Sequence, residues 1–87
     1  MRKNSDLWKK ISFVMRGKNR EIVLKTLNTP QTPASIHRKT KLSLNTASRA
    51  LRELDKVKLV ACKTPRLKVG RVYVLTRLGK QVLDKLG

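Results

Sequence analysis

The stretch SLNTASRALRELDKVKLV, residues 43–60, combines small, apolar and basic side chains with a helical period. A helix advances about 100° per residue, so side chains three and four apart share a face. One face of a helix over residues 44–56 collects Leu44, Ala47, Ala50, Leu51 and Leu54. The opposite face collects Asn45, Arg49, Arg52 and Lys56. Because the centre of this second face carries no carboxylate, the pattern predicts a helix that presents one face to an acidic ligand.

The charge of the whole chain also favours an acidic partner. Its 87 residues include 22 Lys and Arg but only 5 Asp and Glu, which gives a formal net charge of +17. Such an imbalance costs self-repulsion in the folded state, and a thermophile bias would normally raise Glu together with Lys. We therefore expect an acidic polymer as the partner, with nucleic acid favoured over an anionic membrane surface.

The sequence disfavours a membrane or secreted protein. No apolar stretch approaches the ~18 residues that a membrane-spanning helix needs. The start of the chain, Met1 to Asp6, is not followed by the apolar core of a signal peptide. We therefore expect a cytoplasmic, nucleoid-associated protein that does not bind a membrane. A single cysteine, Cys62, excludes an internal disulfide and a cysteine-rich zinc site, and we expect it to be a small, buried or half-buried hydrophobe.

Three further helices are predicted before residue 43. They cover residues 5–16, 20–28 and 33–39. The candidate N-caps are Ser5 or Asp6, Asn19, and Thr32 followed by proline, while Ser43 caps the helix over 44–56. The β-branched and aromatic residues of the first segment leave a strand there as an alternative.

After residue 56 the period of the apolar residues changes. LVACKTP (59–65) and RVYVLT (71–76) are β-rich runs, and residues 65–70 join them as a hairpin loop. A last amphipathic helix begins at Arg77. The predicted fold class is therefore mainly α with a small β-hairpin (α+β). We expect one domain over residues 1–87, with 1–16 as an N-terminal extension and 77–87 as a C-terminal helix.

This order of elements is the plan of a winged helix-turn-helix. TPASIHRKTKLSLNTASRALRELDKVKLV (32–60) resembles the two helices and turn of archaeal regulators of the MarR/ArsR type. RVYVLTRLGKQVL (71–83) is similar to their strand-to-helix ending, a Tyr-x-Leu-Thr-x-x-Gly step, and GKNREIVLKTL (17–27) looks like their first core helix. Lys58 stands where such chains usually carry a glycine. Because a lysine with positive φ is disfavoured, the geometry of this turn is left open by the sequence, but the fold is not.

The resemblance implies that residues 44–56 form the recognition helix of a double-stranded DNA-binding transcription regulator. In helix-turn-helix proteins the N-terminal half of this helix meets base edges in the major groove. We therefore expect base contacts from Asn45, Thr46, Ser48 and Arg49. Arginine can pair with guanine and asparagine with adenine, while hydroxyl groups reach either phosphate or base.

Contacts to the DNA backbone are expected from three other regions. The recognition helix contributes Arg52 and Lys56. The preceding helix and turn contribute Ser35, Arg38, Lys39 and Lys41. The basic wing, residues 61–76, contributes Lys63, Arg66, Lys68 and Arg71, either along the backbone or in the minor groove. The alternative for the wing is a solvated hairpin whose charges protect its edges.

The sequence offers no residues arranged for catalysis. One His, one Cys and five scattered carboxylates give no acid–base pair, triad or metal cluster, and His37 has no metal partner at useful spacing. We therefore expect no enzyme activity, no cofactor and no metal ion. Two other functions stay open. One is an architectural chromatin protein with little sequence specificity. The other is a protein-interaction module, which the basic outward face of residues 45–56 disfavours.

A homodimer is also expected. The two terminal segments carry more apolar side chains than so small a chain should leave in water. The candidates for a dimer surface are Trp8, Ile11, Phe13, Val14, Leu83 and Leu86. These residues either fold back on their own core or pair with a second copy. Pairing would place two recognition helices on one face of DNA, about 34–36 Å apart.

Overall fold

The computed structural model describes residues 2–86, with side-chain environments from residue 7 onward. In chain order its elements are α1 (Arg2–Arg16), α2 (Lys18–Thr26), α3 (Pro33–Thr40), α4 (Leu44–Lys56), β1 (Val60–Cys62), β2 (Tyr73–Leu75) and α5 (Arg77–Leu86). The strands form a two-stranded antiparallel sheet. This is the mainly α winged helix-turn-helix architecture, so the predicted fold class is confirmed. Within residues 2–86 no helix is long and apolar enough to cross a membrane.

The helix boundaries agree with the sequence prediction to within three residues. The helix α2 covers Lys18–Thr26 where residues 20–28 were predicted, and α3 ends at Thr40, one residue beyond the predicted end. The helix α4 covers Leu44–Lys56, as predicted. The helix α1 begins at Arg2, so Ser5 and Asp6 lie inside it and neither caps its start, and the strand alternative for this segment is wrong. The N-cap position of α2 is Gly17 and not Asn19, and no side chain there bonds to the helix.

The two helices of the helix-turn-helix begin at side-chain caps, as predicted. Thr32 and Ser35 form a capping box at the start of α3: Oγ1 of Thr32 accepts from the backbone N–H of Ser35 at 3.1 Å, and Oγ of Ser35 accepts from that of Thr32 at 2.9 Å. At the start of α4, Oγ of Ser43 accepts from the backbone N–H of Thr46 at 3.1 Å. These local bonds fix where α3 and α4 begin.

The core lies where α4 packs against α2 and α3. Ala47 and Ala50 are buried at the centre of the inner face of α4, and their small side chains let the neighbouring helices come close. Ile11 and Val14 of α1 and Val82 of α5 belong to the same buried cluster. The N-terminal segment is therefore part of the core, because α1 packs against α2 and α5.

The turn between α4 and β1 has a strained backbone. Lys58 has φ of 65°, in the left-handed region that costs a residue with a β-carbon roughly 1–2 kcal/mol. Two hydrogen bonds from Thr76 hold the turn: its hydroxyl donates to the carbonyl of Lys58 at 2.7 Å and its N–H to the carbonyl of Leu59 at 3.0 Å. Lys58 thus adopts the disfavoured left-handed conformation in place of the usual glycine, and the fold is kept.

The start of α5 packs directly on this turn. The hydroxyl of Thr76 accepts from the backbone N–H of Gly79 at 3.0 Å, which caps α5. A β-carbon at Gly79 would stand 2.0 Å from the carbonyl oxygen of Leu59. The Thr-x-x-Gly step therefore has two physical causes. The threonine caps the helix and holds the turn, and the glycine lets the helix touch the backbone of the turn.

The hairpin is shorter than predicted, with three residues in each strand. Its register pairs Val60 with Leu75 and Cys62 with Tyr73. The regular ladder ends early because the hydroxyl of Thr64, not a backbone carbonyl, accepts from the N–H of Val72 at 3.0 Å. On its other edge, Tyr73 exchanges two backbone hydrogen bonds with Gln31, of 3.0 and 2.7 Å. The wing is therefore attached to the segment that leads into α3.

Candidate nucleic-acid interface

One face of α4 carries exposed polar and basic side chains, as the helical period predicts. The exposed residues are Asn45, Arg49, Arg52 and Lys56. The buried residues of the opposite face are Ala47, Ala50, Leu51 and Leu54. Leu44 departs from the prediction, because its position at the first turn of α4, beside a surface groove, leaves it 50% exposed.

Thr46 and Ser48 lie on the two flanks of this outward face, and both are half-buried. The hydroxyl of Thr46 accepts a hydrogen bond from the hydroxyl of Ser43 at 2.8 Å, so it takes part in the cap of α4. Ser48 lines the same groove as Asn45 and Arg52. Ser48 therefore lies beside two other predicted DNA-contacting residues, whereas Thr46 lies at the margin of the predicted interface.

Ser35 requires a correction. Its hydroxyl donates to Oε1 of Gln31 at 2.6 Å and accepts from the backbone N–H of Thr32 at 2.9 Å. The hydroxyl is thus used inside the protein, and the predicted phosphate contact of Ser35 is withdrawn. The capping role of Ser35 could have been predicted from the Thr-Pro-x-Ser spacing, because the third residue after an N-cap commonly completes a capping box.

The basic residues of α3 and the following turn are exposed but do not share one face. Ala34 lines the groove beside α4. Arg38 is four residues after Ala34 and lies on the same side of α3. Lys39 is five residues after Ala34 and lies about 140° away from it around the helix axis. Lys41 follows α3 with φ of 66° and is exposed in the turn. The ring nitrogen Nδ1 of His37 lies 2.6 Å from the carbonyl oxygen of Leu42 and links α3 to this turn.

All four predicted basic residues of the wing are exposed. They are Lys63, Arg66, Lys68 and Arg71. Two hydrogen bonds shape the loop: Nε of Arg71 donates to the carbonyl of Leu67 at 2.5 Å, and the N–H of Leu67 to the carbonyl of Thr64 at 3.1 Å. Lys68 and Arg71 line the groove that faces α4, and Lys63 and Arg66 lie outside its lining.

This groove, called here the α4–wing groove, joins the start of α3, the outward face of α4 and the wing. Its lining consists of Pro33, Ala34, Leu44, Asn45, Ser48, Arg52, Lys68, Val69, Gly70, Arg71 and Tyr73. No carboxylate of the described residues is in this lining. The residues of this lining that sequence reasoning did not predict are Pro33, Ala34, Leu44, Val69, Gly70 and Tyr73. Two of these residues, Leu44 and Val69, are large exposed hydrophobic side chains, and Val69 is 86% exposed. The position of Val69 between a lysine and a glycine in a hairpin loop was an available signal.

The arginines occupy two kinds of environment. Nε of Arg20 donates to Oε1 of Glu53 at 3.0 Å, and its Nη1 donates to the carbonyl of Phe13 at 2.7 Å. The guanidinium of Arg20 also stacks 3.8 Å from the centroid of the Phe13 ring. This arginine connects α1, α2 and α4. Arg49 and Arg52 are exposed, and no ion pair among the described residues involves them. Their charges are available to an external anion.

The predicted dimer residues separate into buried and exposed ones. Ile11 and Val14 are buried in the core of their own chain, so they are removed from the predicted dimer surface. The half-buried members are Phe13, Leu83 and Leu86. Trp8 stays 61% exposed, and Met15, about two helical turns further along α1, is exposed to the same extent. One face of α1 packs against α2 and α5, which buries Ile11 and Val14, whereas Trp8 and Met15 lie outside this face and stay exposed.

The described residues contain no cluster of three or more His, Cys, Asp or Glu side chains that could hold a metal ion. Cys62 is a half-buried free thiol, as predicted. The side chains that line the α4–wing groove are instead mainly cationic, amide, hydroxyl and aliphatic groups.

A capped helix-turn-helix followed by a two-stranded hairpin and a helix defines the winged helix class. Among solved structures, the chain is similar to a double mutant of Lactococcus lactis ZitR, with a TM-score of 0.71 and 22% sequence identity. The match covers 80% of this chain and 49% of the ZitR chain, so this chain spans about half the length of that protein. The likeness shows a shared fold. No protein-family model and no curated protein matches the sequence.

Proposed function

We propose that this chain is a double-stranded DNA-binding transcription regulator, with α4 in the major groove and the wing on the backbone or in the minor groove. One observation carries the proposal. The outward face of α4 and the wing form a continuous surface around the α4–wing groove, with Arg52, Lys68 and Arg71 in a lining free of carboxylates among the described residues. A net charge of +17 adds long-range attraction to a polyanion.

The chemistry of α4 suits both kinds of DNA contact. Arg49 and Asn45 lie in the N-terminal half of the helix, where arginine can pair with guanine and asparagine with adenine. Arg52 and Lys56 lie further along the same face and suit phosphate groups. Because the opposite face of α4 is packed in the core, these side chains are held on a rigid element.

Selection of bound duplexes from a random DNA pool tests this function. A regulator should prefer its site over random DNA by about 10³ or more, so a recurring motif is the expected result. Tight binding without any motif would support an architectural chromatin protein in its place. Failure to bind any duplex would contradict both functions.

We also propose that the chain acts as a homodimer through the exposed stripe of Trp8 and Met15 on α1. Large exposed apolar side chains on one helix face favour a partner surface, and a second copy would place two α4 helices on one side of the DNA. Sedimentation at micromolar concentration should show a dimer that Trp8→Ala weakens. Val69→Ala is the control, because it shortens an exposed apolar side chain elsewhere. A monomer at every concentration, bound to a single half-site, would reject the dimer alone.

The group of regulators to which the chain belongs is proposed from sequence resemblance. The segments 32–60 and 71–83 are similar to archaeal MarR/ArsR-type regulators, so we propose membership of that group and a cytoplasmic, nucleoid-associated location. Formaldehyde crosslinking in cells should recover the chain with chromosomal DNA. Recovery in a fraction without DNA would contradict this location.

A further inference from the structure

The α4–wing groove combines two chemistries that the predicted DNA contacts do not explain together. Its cationic members are Arg52, Lys68 and Arg71. Beside them, Leu44 and Val69 expose 50% and 86% of their surfaces. Cations alone would suit any phosphate group. Two exposed aliphatic side chains in the same groove indicate a ligand that also has an apolar surface.

The proposed function determines which part of DNA this groove meets, and the inference rests on that function. If α4 lies in the major groove and the wing reaches the neighbouring minor groove, the strand that separates the two grooves must pass between α4 and the wing. A deoxyribose–phosphate strand alternates anionic phosphates with sugars whose C2′ carbon carries no polar group. The cations and aliphatic side chains of the α4–wing groove match this alternation.

We propose that the α4–wing groove binds one deoxyribose–phosphate strand, with Leu44 and Val69 against the sugars, and that it therefore rejects ribose. A 2′-hydroxyl placed against these two side chains would lose its water, and neither leucine nor valine offers a hydrogen-bond partner. A hydroxyl that is buried without a partner is costly. The preferred ligand is thus duplex DNA, and an RNA–DNA hybrid with ribose in this strand binds more weakly.

Ribonucleotide scanning tests the proposal. Single ribonucleotides replace each deoxyribonucleotide of a bound duplex in turn, and affinity is measured by competition. In each half-site, at one or two neighbouring positions of one strand, we expect affinity to fall about 5- to 100-fold, the range that an unpaired buried hydroxyl produces. A 2′-fluoro nucleotide at the same positions should cost clearly less, because it favours the same sugar pucker without adding a hydroxyl.

Two variants connect the effect to the groove. Leu44→Ser and Val69→Ser each supply a hydroxyl that can bond to ribose, so each should reduce the ribose penalty at its own position to about a third or less of its original size. Gln81→Ser is the control, because it introduces a serine at an exposed position of α5 outside the groove lining and should leave the penalty unchanged.

Three results would overturn the inference while leaving the DNA-binding function in place. They are the absence of a ribose penalty at every position, an equal penalty from the 2′-fluoro nucleotide, and a penalty that both serine variants keep in full. Absence of duplex binding would instead reject the proposed function and this inference together.

Discussion

The unit formed by α4 and the wing, residues 44–76, has an inner and an outer side that differ sharply. On the inner side, Leu51 is fully buried and a β-carbon at Gly79 would collide with the backbone of Leu59. On the outer side, Arg49 is exposed without an ion pair among the described residues, and Val69 is almost fully accessible. Tight packing thus lies on one side of the unit, and accessible charge lies on the other.

This difference shows that residue type does not by itself reveal a role in a chain so rich in arginine and lysine. Arg20 and Arg49 have the same side chain, yet Arg20 is bonded to Glu53 and Phe13 while Arg49 is accessible to a ligand. Substitutions on the inner side should therefore change stability, and substitutions on the outer side should change DNA binding. Each prediction below tests this separation.

Gly79→Ala is expected to have the largest effect. The added β-carbon would stand 2.0 Å from the carbonyl oxygen of Leu59, and overpacking against backbone costs about 3 kcal/mol or more of unfolding free energy. Urea denaturation measures the loss. Gly70→Ala is the matched control: nothing lies within 4 Å of its added carbon, and its φ of +73° should cost only about 1–2 kcal/mol. Equal losses at both glycines would contradict the close packing of α5.

Arg49→Ala should act on binding instead of stability. Loss of the base contact proposed for Arg49 should cost about 1–3 kcal/mol of binding free energy at the preferred site and relax the preference there. Unfolding free energy should change by no more than about 0.5 kcal/mol, as for other exposed positions. Fluorescence anisotropy with preferred and random duplexes measures both affinity and preference. If both stayed intact, α4 would have been assigned the wrong outward face.

Arg20→Ala should give the opposite result. Its hydrogen bonds join α1 and α2 to α4, and its pair with Glu53 is only partly screened by solvent, so we expect a loss of about 1–2 kcal/mol of unfolding free energy. Specificity for DNA should be unchanged. Arg16→Ala, which removes an exposed arginine of α1, is the control for the lost charge. Equal stability of the two variants in urea would show that the Arg20 contacts contribute nothing.

Lys58→Gly should produce the smallest change, and the change should be stabilising. Glycine adopts the φ of 65° at this position without steric cost, which should raise the unfolding free energy by about 0.5–1 kcal/mol after its greater chain entropy is counted. Lys9→Gly removes the same charge at an exposed position in the interior of α1, where glycine should destabilise by about 1 kcal/mol. Thermal denaturation of the two variants should therefore shift in opposite directions.

The sequence predicted most of the fold because its strongest signals are local. The period of residues 44–56 gave the limits of α4, and Thr32 and Ser43 marked the starts of α3 and α4 through short-range hydrogen bonds. The role of Gly79 could not be read in this way. It depends on the carbonyl of Leu59, twenty positions earlier in the chain, and a contact of this range leaves no periodic pattern.

The candidate site was predicted less completely for the same reason. The exposed face of α4 followed from helical geometry, but the α4–wing groove depends on how the wing folds against α4. The exposure of Leu44 and the burial of Ile11 and Val14 depend on which elements cover them. The commitment of the Ser35 hydroxyl to Thr32 and Gln31 was within reach, because a capping box has a short sequence pattern.

The salt dependence of duplex binding tests the central claim most directly. Three proteins are compared: the unaltered chain, the outer-side double variant Arg52→Ala/Lys56→Ala, which removes the two proposed phosphate contacts of α4, and a control with the same charge loss on exposed positions of α5, Lys80→Ala/Lys85→Ala. Each phosphate contact contributes about −0.9 to the slope of log K against log salt. The outer-side variant should therefore lose up to about 1.8 units of slope, and the control should keep the original value. Identical slopes for all three proteins, or an affinity independent of salt, would contradict a DNA-binding face on α4.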